Sequence, residues 1–234
     1  MERAVDESTT ANRPEAPSRG ALDRDERQVK DGILRMGSLV ETQIRNAIRA
    51  LADRDVALAH EVIAGDALVN GAQRLVNDAV AMTIATQSPV ARDLRMVLAL
   101  NQVGYELERI GDHASSVAKQ VERLGPGPDP LPSIATIRHM GGLAGDLVRA
   151  VLEALIDIDE GAARDVAKRD DDIDHDYHRV FSEVIEVMRA DSDAVERGTR
   201  LILAAHWIER IGDRVTNIAE DVVYLASGDV EDLN

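Results

Sequence analysis

The sequence predicts an all-α protein built as two tandem up-down-up three-helix bundles related by internal duplication. Three observations predict it. The segment Glu108-Arg109-Ile110-Gly111-Asp112 recurs intact as Glu209-Arg210-Ile211-Gly212-Asp213, 101 positions later. Upstream, Met36-Gly37, Leu39, Arg45, Ala50, Leu51, Asp53, Asp55, Ala59, Val62 and Asp66 reappear 104 positions later as Met140-Gly141, Leu143, Arg149, Ala154, Leu155, Asp157, Asp159, Ala163, Val166 and Asp170. Two offsets differing by three residues mean the same elements in the same order, so both halves share one fold. Finally, aromatics are only 2% of the 234 residues, so the core must be Leu, Ile, Val, Ala and Met, a palette suited to helix packing.

Residues 1–20 are rich in Ser, Thr, Pro and charge without an apolar period and are expected to form a disordered tail. The first half, 21–124, then opens on a helix from about Leu22 to Ala52, where Val29, Ile33, Met36, Val40, Ile44, Ile48 and Leu51 recur at spacings of three and four. Asp53-Arg54-Asp55 supplies turn and capping chemistry. A second helix runs from about Val56 to Thr86 and ends at Ser88-Pro89, because the residue before proline is disfavoured in helical geometry. The third spans about Pro89 to Leu124, with proline tolerated in its first turn.

Gly125-Pro126-Gly127-Pro128-Asp129-Pro130-Leu131-Pro132 admits no regular element and reads as the linker, 125–132. The second half, 133–227, repeats the plan: a helix from about Ser133 to Ile156, a turn at Asp157-Ile158-Asp159, a helix to about Ala190, a turn near Asp191-Ser192-Asp193 and a last helix to about Ala226. Short connections between long helices make neighbours antiparallel.

Composition excludes several function classes. Cysteine is absent, which removes disulfide frameworks and thiolate metal sites and fits a reducing cytosol. No signal peptide or membrane span is expected. A formal charge of −16 argues against nucleic acid and anionic lipid as partners, leaving cations and basic protein patches.

The functional signal is the repeated acidic motif. At 100° per residue, Glu108 and Asp112 lie roughly 130–170° from the mean direction of their helix's apolar stripe, and Glu209 and Asp213 likewise point outward. A Glu and an Asp four apart repel by a few tenths of a kcal/mol. A bound cation reverses that sign, since hard metal ions take carboxylate oxygens. The preceding helices add Asp66 with Asn70 and Asp170 with Asp174, also four apart. In an antiparallel hairpin Asp170 and Asp174 approach Glu209 and Asp213 across the interhelical groove. Asn70 in place of a carboxylate makes the first site one charge poorer and the weaker cation binder.

Other readings stand beside this one. Outward carboxylates four apart are commonly a solvated helix face, here screened by Arg109, Lys119, Arg210 and Arg214. Gly111 and Gly212 point to close helix packing as a structural cause for part of the repeat. Asp172, Asp174, His175 and His178 form a local cluster, but no ExxH pair occurs, so a di-iron enzyme core is poorly supported. His60, His113, His139 and His206 sit in no nucleophile setting. Tyr105 and Trp207, beside the acidic motifs, read as packing residues at a helix crossing.

Three stretches together resemble the PhoU family, the phosphate-uptake regulators of bacteria and archaea: Leu34-Arg35-Met36-Gly37, Pro89-Val90-Ala91-Arg92-Asp93-Leu94-Arg95, and both Glu-Arg-Ile-Gly-Asp segments, followed by Ala118 and by Asn217-Ile218-Ala219-Glu220. The resemblance runs from about Arg27 to Ala226. It implies two tandem three-helix bundles and surface metal clusters on E(D)xxxD motifs, which fall here on Glu108, Asp112, Asp170, Asp174, Glu209 and Asp213, with Asp66 a matching first position. The ion would be divalent or trivalent: Fe, Mg, Mn or Zn.

The resemblance further implies a cytoplasmic regulator rather than an enzyme. Such a protein couples the ATP-binding subunit of the phosphate ABC transporter to a sensor histidine kinase, lowers uptake and starvation signalling when phosphate is plentiful, and forms a homodimer or higher oligomer. Arg92 and Arg95, with the acidic faces, are expected to flank the partner-docking surface. The rival class is a carboxylate metal-cluster protein for metal storage, redox chemistry or hydrolysis. A third reading is a pure helical scaffold.

Overall fold

The computed structural model describes residues 19–126 and 132–233. The expected tail lies outside them except for Arg19 and Gly20, which begin the first helix, and so does most of the linker. Helices are α1 (Arg19–Asp53), α2 (Val56–Gln87), α3 (Ala91–Leu124), α4 (Ile134–Asp157), α5 (Glu160–Lys168), α6 (Asp170–Ala190) and α7 (Val195–Ser227), with a short 3₁₀ turn at Ser192–Ala194. No strand occurs among the described residues, and none of their helices is long and apolar enough to cross a membrane.

Each half is an up-down-up bundle whose turns follow the duplicated chemistry. Asp55 caps α2 by accepting from Leu58 N at 2.9 Å, and Asp159 caps α5 by accepting from Ala162 N at 3.0 Å. The guanidinium of Arg54 donates to the Leu124 carbonyl at 2.6 Å and the Gly125 carbonyl at 3.1 Å, a cation at the C-terminal end of α3. Ser88, in the left-handed region at φ 46°, closes α2, and α3 starts at Ala91, two residues after the proline expected to open it.

One expectation fails in the second half. The middle helix is not continuous to Ala190: it breaks at Arg169, and α6 restarts at Asp170. The restart puts Asp170, Asp171 and Asp172 in the first turn of α6, the end of a helix whose dipole favours negative charge.

The halves share one core, and their contacts mirror one another. A Cβ on Gly37 would collide with Leu152, and one on Gly141 with Ile48. Gly37 and Gly141, and Ile48 and Leu152, are duplicated positions, so α1 and α4 each offer a glycine pit to the other's knob. Antiparallel α3 and α7 form the most extensive helix pair and obey the same symmetry. Glu106 Oε2 accepts from Arg214 Nη1 at 3.4 Å and Asn217 Nδ2 at 3.3 Å, while Trp207 stacks on His113 with centroids 5.3 Å apart. The offset of 101 makes Trp207 the counterpart of Glu106 and Arg214 that of His113. One end of the pseudo-twofold interface is therefore a partly buried ion pair and the other an aromatic stack. Tyr105, expected to pack at the crossing, is 41% exposed. It corresponds to His206 rather than to Trp207, and one residue on a helix is a 100° rotation off the face.

Candidate carboxylate clusters

In the second half, Asp170 and Asp174 on α6 face Glu209 and Asp213 on α7. Asp170 is the anchor: it is buried, and its Oδ2 accepts from Thr216 Oγ1 at 3.2 Å. Its Oδ1 occupies the space a Cβ on Gly212 would need. The motif's glycine is thus the seat of a carboxylate from the neighbouring helix.

The electrostatics show four acids crowded together. Burial first, then Asp174, Asp213 and Glu209, pushes the Asp170 carboxyl up to about 7, against the pull of the Thr216 hydroxyl. Burial, then Asp213 and Asp174, brings Glu209 to about 7 as well. Asp174 is raised by burial and by Asp213. Asp170 Oδ1 and Glu209 Oε2 are both buried without a hydrogen-bond partner, although His206 Nδ1 lies 3.2 Å from the latter.

The first half assembles the same parts differently. Asp66 and Asn70 on α2 stand beside Glu108 and Asp112 on α3, but Asp66 is satisfied: Asn70 Nδ2 donates to its Oδ2 at 2.9 Å and Ser115 Oγ to its Oδ1 at 3.4 Å. Asp112 is raised by burial and then by Asp66. Glu108 is raised by burial and then by Asp112 and Asp66. Over Gly111 sits the amide of Gln43, whose Oε1 would lie 3.0 Å from a Cβ there, and both of its amide atoms are buried without partners.

The structure thus brings together all seven acidic residues singled out in the sequence, in two sets. The packing adds three further members: Thr216, Ser115 and Gln43. The hydroxyls were legible, since Ser115 and Thr216 each follow the motif glycine by four positions. Gln43 was not, because its duplicated counterpart is the buried core residue Leu147.

Arg92 and Arg95 stand apart, about 24 Å and about 20 Å along α3 from Glu108 at 1.5 Å per residue. Arg92 is exposed; Arg95 Nη1 would lie 3.6 Å from a Cβ on Gly228, at the end of α7.

A hard cation fits the second set chemically, with four carboxylates and two buried oxygens lacking hydrogen-bond partners. As the side chains stand, no three acidic or imidazole groups among the described residues converge on one point as an ion's ligands would. A bound ion would require rotamer changes, which the exposed Asp174 can make most freely.

Comparison with known proteins gives a consistent neighbourhood. Residues 33–121 and 137–222 match the family model described as PhoU domain. A relative from Clostridium acetobutylicum, a phosphate-specific transport system accessory protein PhoU homolog, is 34% identical over 93% of this chain and 99% of its own. A homolog of the same name from Pseudomonas aeruginosa is 34% identical over 86% of this chain and 83% of its own. Among solved structures, PhoU from Pseudomonas aeruginosa superposes with a TM-score of 0.82 at 34% identity, covering 89% of this chain and 100% of that one. The phosphate transport system regulatory protein PhoU from Streptococcus pneumoniae gives 0.84 at 28% identity, over 90% and 99%.

Proposed function

The chain belongs to the PhoU family, and from that premise we propose that it is an accessory protein of a phosphate-specific transport system, acting in the cytoplasm by binding rather than by catalysis. It restrains uptake and phosphate-starvation signalling when phosphate is plentiful, by coupling the transporter's ATP-binding subunit to the system's sensor histidine kinase. The relatives' shared name supports the transport assignment. The structural observation behind the regulatory site is the α6–α7 cluster, where two buried carboxylate oxygens lack hydrogen-bond partners and burial and crowding push Asp170 and Glu209 up to about 7.

Asp170, Asp174, Glu209 and Asp213 would hold the ion, and a bound cation would supply positive charge to a face that is otherwise negative. The chain's own residues do the rest. Gly212 lets Asp170 reach the cluster, Thr216 orients it, and Arg210, 3.3 Å from Asp213, neutralises part of the outer rim. Asp66, Glu108 and Asp112 form the poorer second site.

The test is Glu209→Ala combined with Asp213→Ala. Helicity measured by circular dichroism should be unchanged, while repression of phosphate uptake in phosphate-rich cells should be lost. Full repression by the double variant would sink the reading.

A further inference from the structure

The groove between α1 and α2 is open, whereas its duplicated counterpart is filled by the chain itself. Arg24, Arg27 and Arg35 on α1 and Ala72, Leu75 and Ala79 on α2 line a cavity of about 610 Å³. All three arginines are exposed, and among the described residues none has an ion-pair partner. In the second half, at the offset of 104, Asp176, Arg179 and Glu183 stand where Ala72, Leu75 and Ala79 do, and His139 stands where Arg35 does. Asp176, 4% exposed, lies 2.6 Å from His139 Nδ1 and 3.0 Å from Arg179 Nη2. Arg179 also donates to Thr136 Oγ1 at 3.1 Å, and Ser133 donates to Glu183. This face of the second half is thus closed by its own ion pairs and hydrogen bonds. The first half lacks both carboxylates, keeps its cations, and presents Leu75, 72% exposed, in line with Leu68 and Met82 at 64% and 62%. Since the inward residues Val76 and Val80 are buried just as Val180 and Val184 are, the fold does not require that apolar line, and it serves something outside the bundle.

We propose that the α1–α2 groove is the docking site for an amphipathic helix of a partner protein, with carboxylates on the flank toward α1 and large apolar side chains toward Leu75. Two antiparallel helices offer a trough into which a third packs. Leu68, Leu75 and Met82, spaced by seven, give that helix a seam to follow for about 21 Å at 1.5 Å per residue, and the small side chains of Ala72 and Ala79 let it approach closely. Its acids supply what Asp176 and Glu183 supply in the second half. Arg27 and Arg35 are two turns apart, so carboxylates seven or eight residues apart on the incoming helix fall opposite both. Charge disfavours the other occupants. A second copy entering by the same groove would set three unpaired arginines against three. An anionic lipid surface repels a chain of formal charge −16. The inference rests neither on the phosphate-transport reading nor on the carboxylate clusters.

The test selects displayed random peptides of about 16 residues, enough for four helical turns, on the full chain. Counter-selection uses a triple variant, Arg35→His with Ala72→Asp and Leu75→Arg, which writes the second half's residues into the first and so closes the groove with a network the fold already tolerates. The enriched peptides should carry apolar residues at spacings of three and four and acids at seven or eight. A synthetic peptide of the consensus, followed by fluorescence anisotropy, should bind the unaltered chain at least about tenfold more tightly than the triple variant or Arg27→Glu, and more weakly as salt rises. Arg45→Glu, on the same helix outside the groove, should leave binding unchanged. Failure to enrich any peptide that distinguishes the chain from the triple variant, or a consensus that is basic, overturns the proposal. So does a triple variant that changes the sedimentation of the chain alone, which gives the groove to a second copy, or one that abolishes binding to phosphatidylglycerol vesicles, which gives it to lipid.

Discussion

Thr216 donates its hydroxyl to Asp170 Oδ2 at 3.2 Å, and the duplicated pair Ser115 and Asp66 makes the same bond at 3.4 Å. A hydroxyl four residues after the motif glycine thus fixes the carboxylate that lies across the groove in each half. The bond in the second half is the more consequential, because among the described residues Asp170 has no other hydrogen-bonding side chain while Asp66 also has Asn70. Thr216→Val should cost about 1 kcal/mol, the usual net worth of a buried hydrogen bond, and Ser115→Ala less. Urea unfolding of both variants checks the order.

Gly212 and Gly111 are the same motif position under different loads. A methyl at 212 would collide with the Asp170 carboxylate, whereas at 111 it meets Gln43 at 3.0 Å and Val69 at 3.3 Å, and the glutamine can swing away. Gly212→Ala should destabilise by roughly 1–3 kcal/mol, while Gly111→Ala should be near neutral, since the helix gains up to about 1 kcal/mol from the alanine. Adding Asp170→Ala to Gly212→Ala should recover part of the loss. Strict additivity of the two substitutions would show that the collision is not what makes the glycine necessary.

The acidic clusters set a pH dependence. Asp170 and Glu209 are pushed up to about 7, and so is Asp221, by burial and then by Glu106 and Glu220. Unfolded carboxylates titrate near 4, so between about 4 and 7 the folded chain keeps protons that the unfolded chain releases. The stabilisation is complete below about 4 and is lost as the pH rises through 7. In the presence of chelator the melting temperature should therefore fall from pH 5.5 to pH 8; a rise would contradict the crowding described for α6 and α7.

Cation binding should run the other way. Carboxylates must lose their protons to bind, so titration of the chelated protein with Mn²⁺ should release protons and weaken as the pH drops below about 7. Asp170→Asn or Glu209→Gln should abolish the tighter site, and Asp66→Asn should touch only a weaker one. Calorimetry in two buffers of different ionisation enthalpy reads both quantities.

Glu106 tests the pseudo-twofold interface. It is 5% exposed and is held by Arg214, Asn217 and, at 3.2 Å, Gln102. Glu106→Ala should cost about 3 kcal/mol by stranding the Arg214 guanidinium, more than Glu106→Gln, which keeps the shape and two of the bonds. Equal losses in thermal unfolding would mean that shape rather than charge holds this end of α3 against α7.

Much of this molecule is local and so could be read directly. The helix plan follows from apolar spacings of three and four, Asp55 and Asp159 announce their caps, and the pairing of carboxylates four apart is a property of one helix. The grouping of Asp170 and Asp174 with Glu209 and Asp213 needed only antiparallel neighbours. What the sequence could not specify is how one helix is rotated and shifted against another. That packing decided the break at Arg169, the seat of Asp170 on Gly212, the exchange of Gly37 with Leu152 and Gly141 with Ile48, and the replacement of a Trp207–His113 stack by a Glu106–Arg214 pair at the other end. Helical periodicity tells which side of a helix is buried; only side-chain volumes fitted together in three dimensions determine what that side meets.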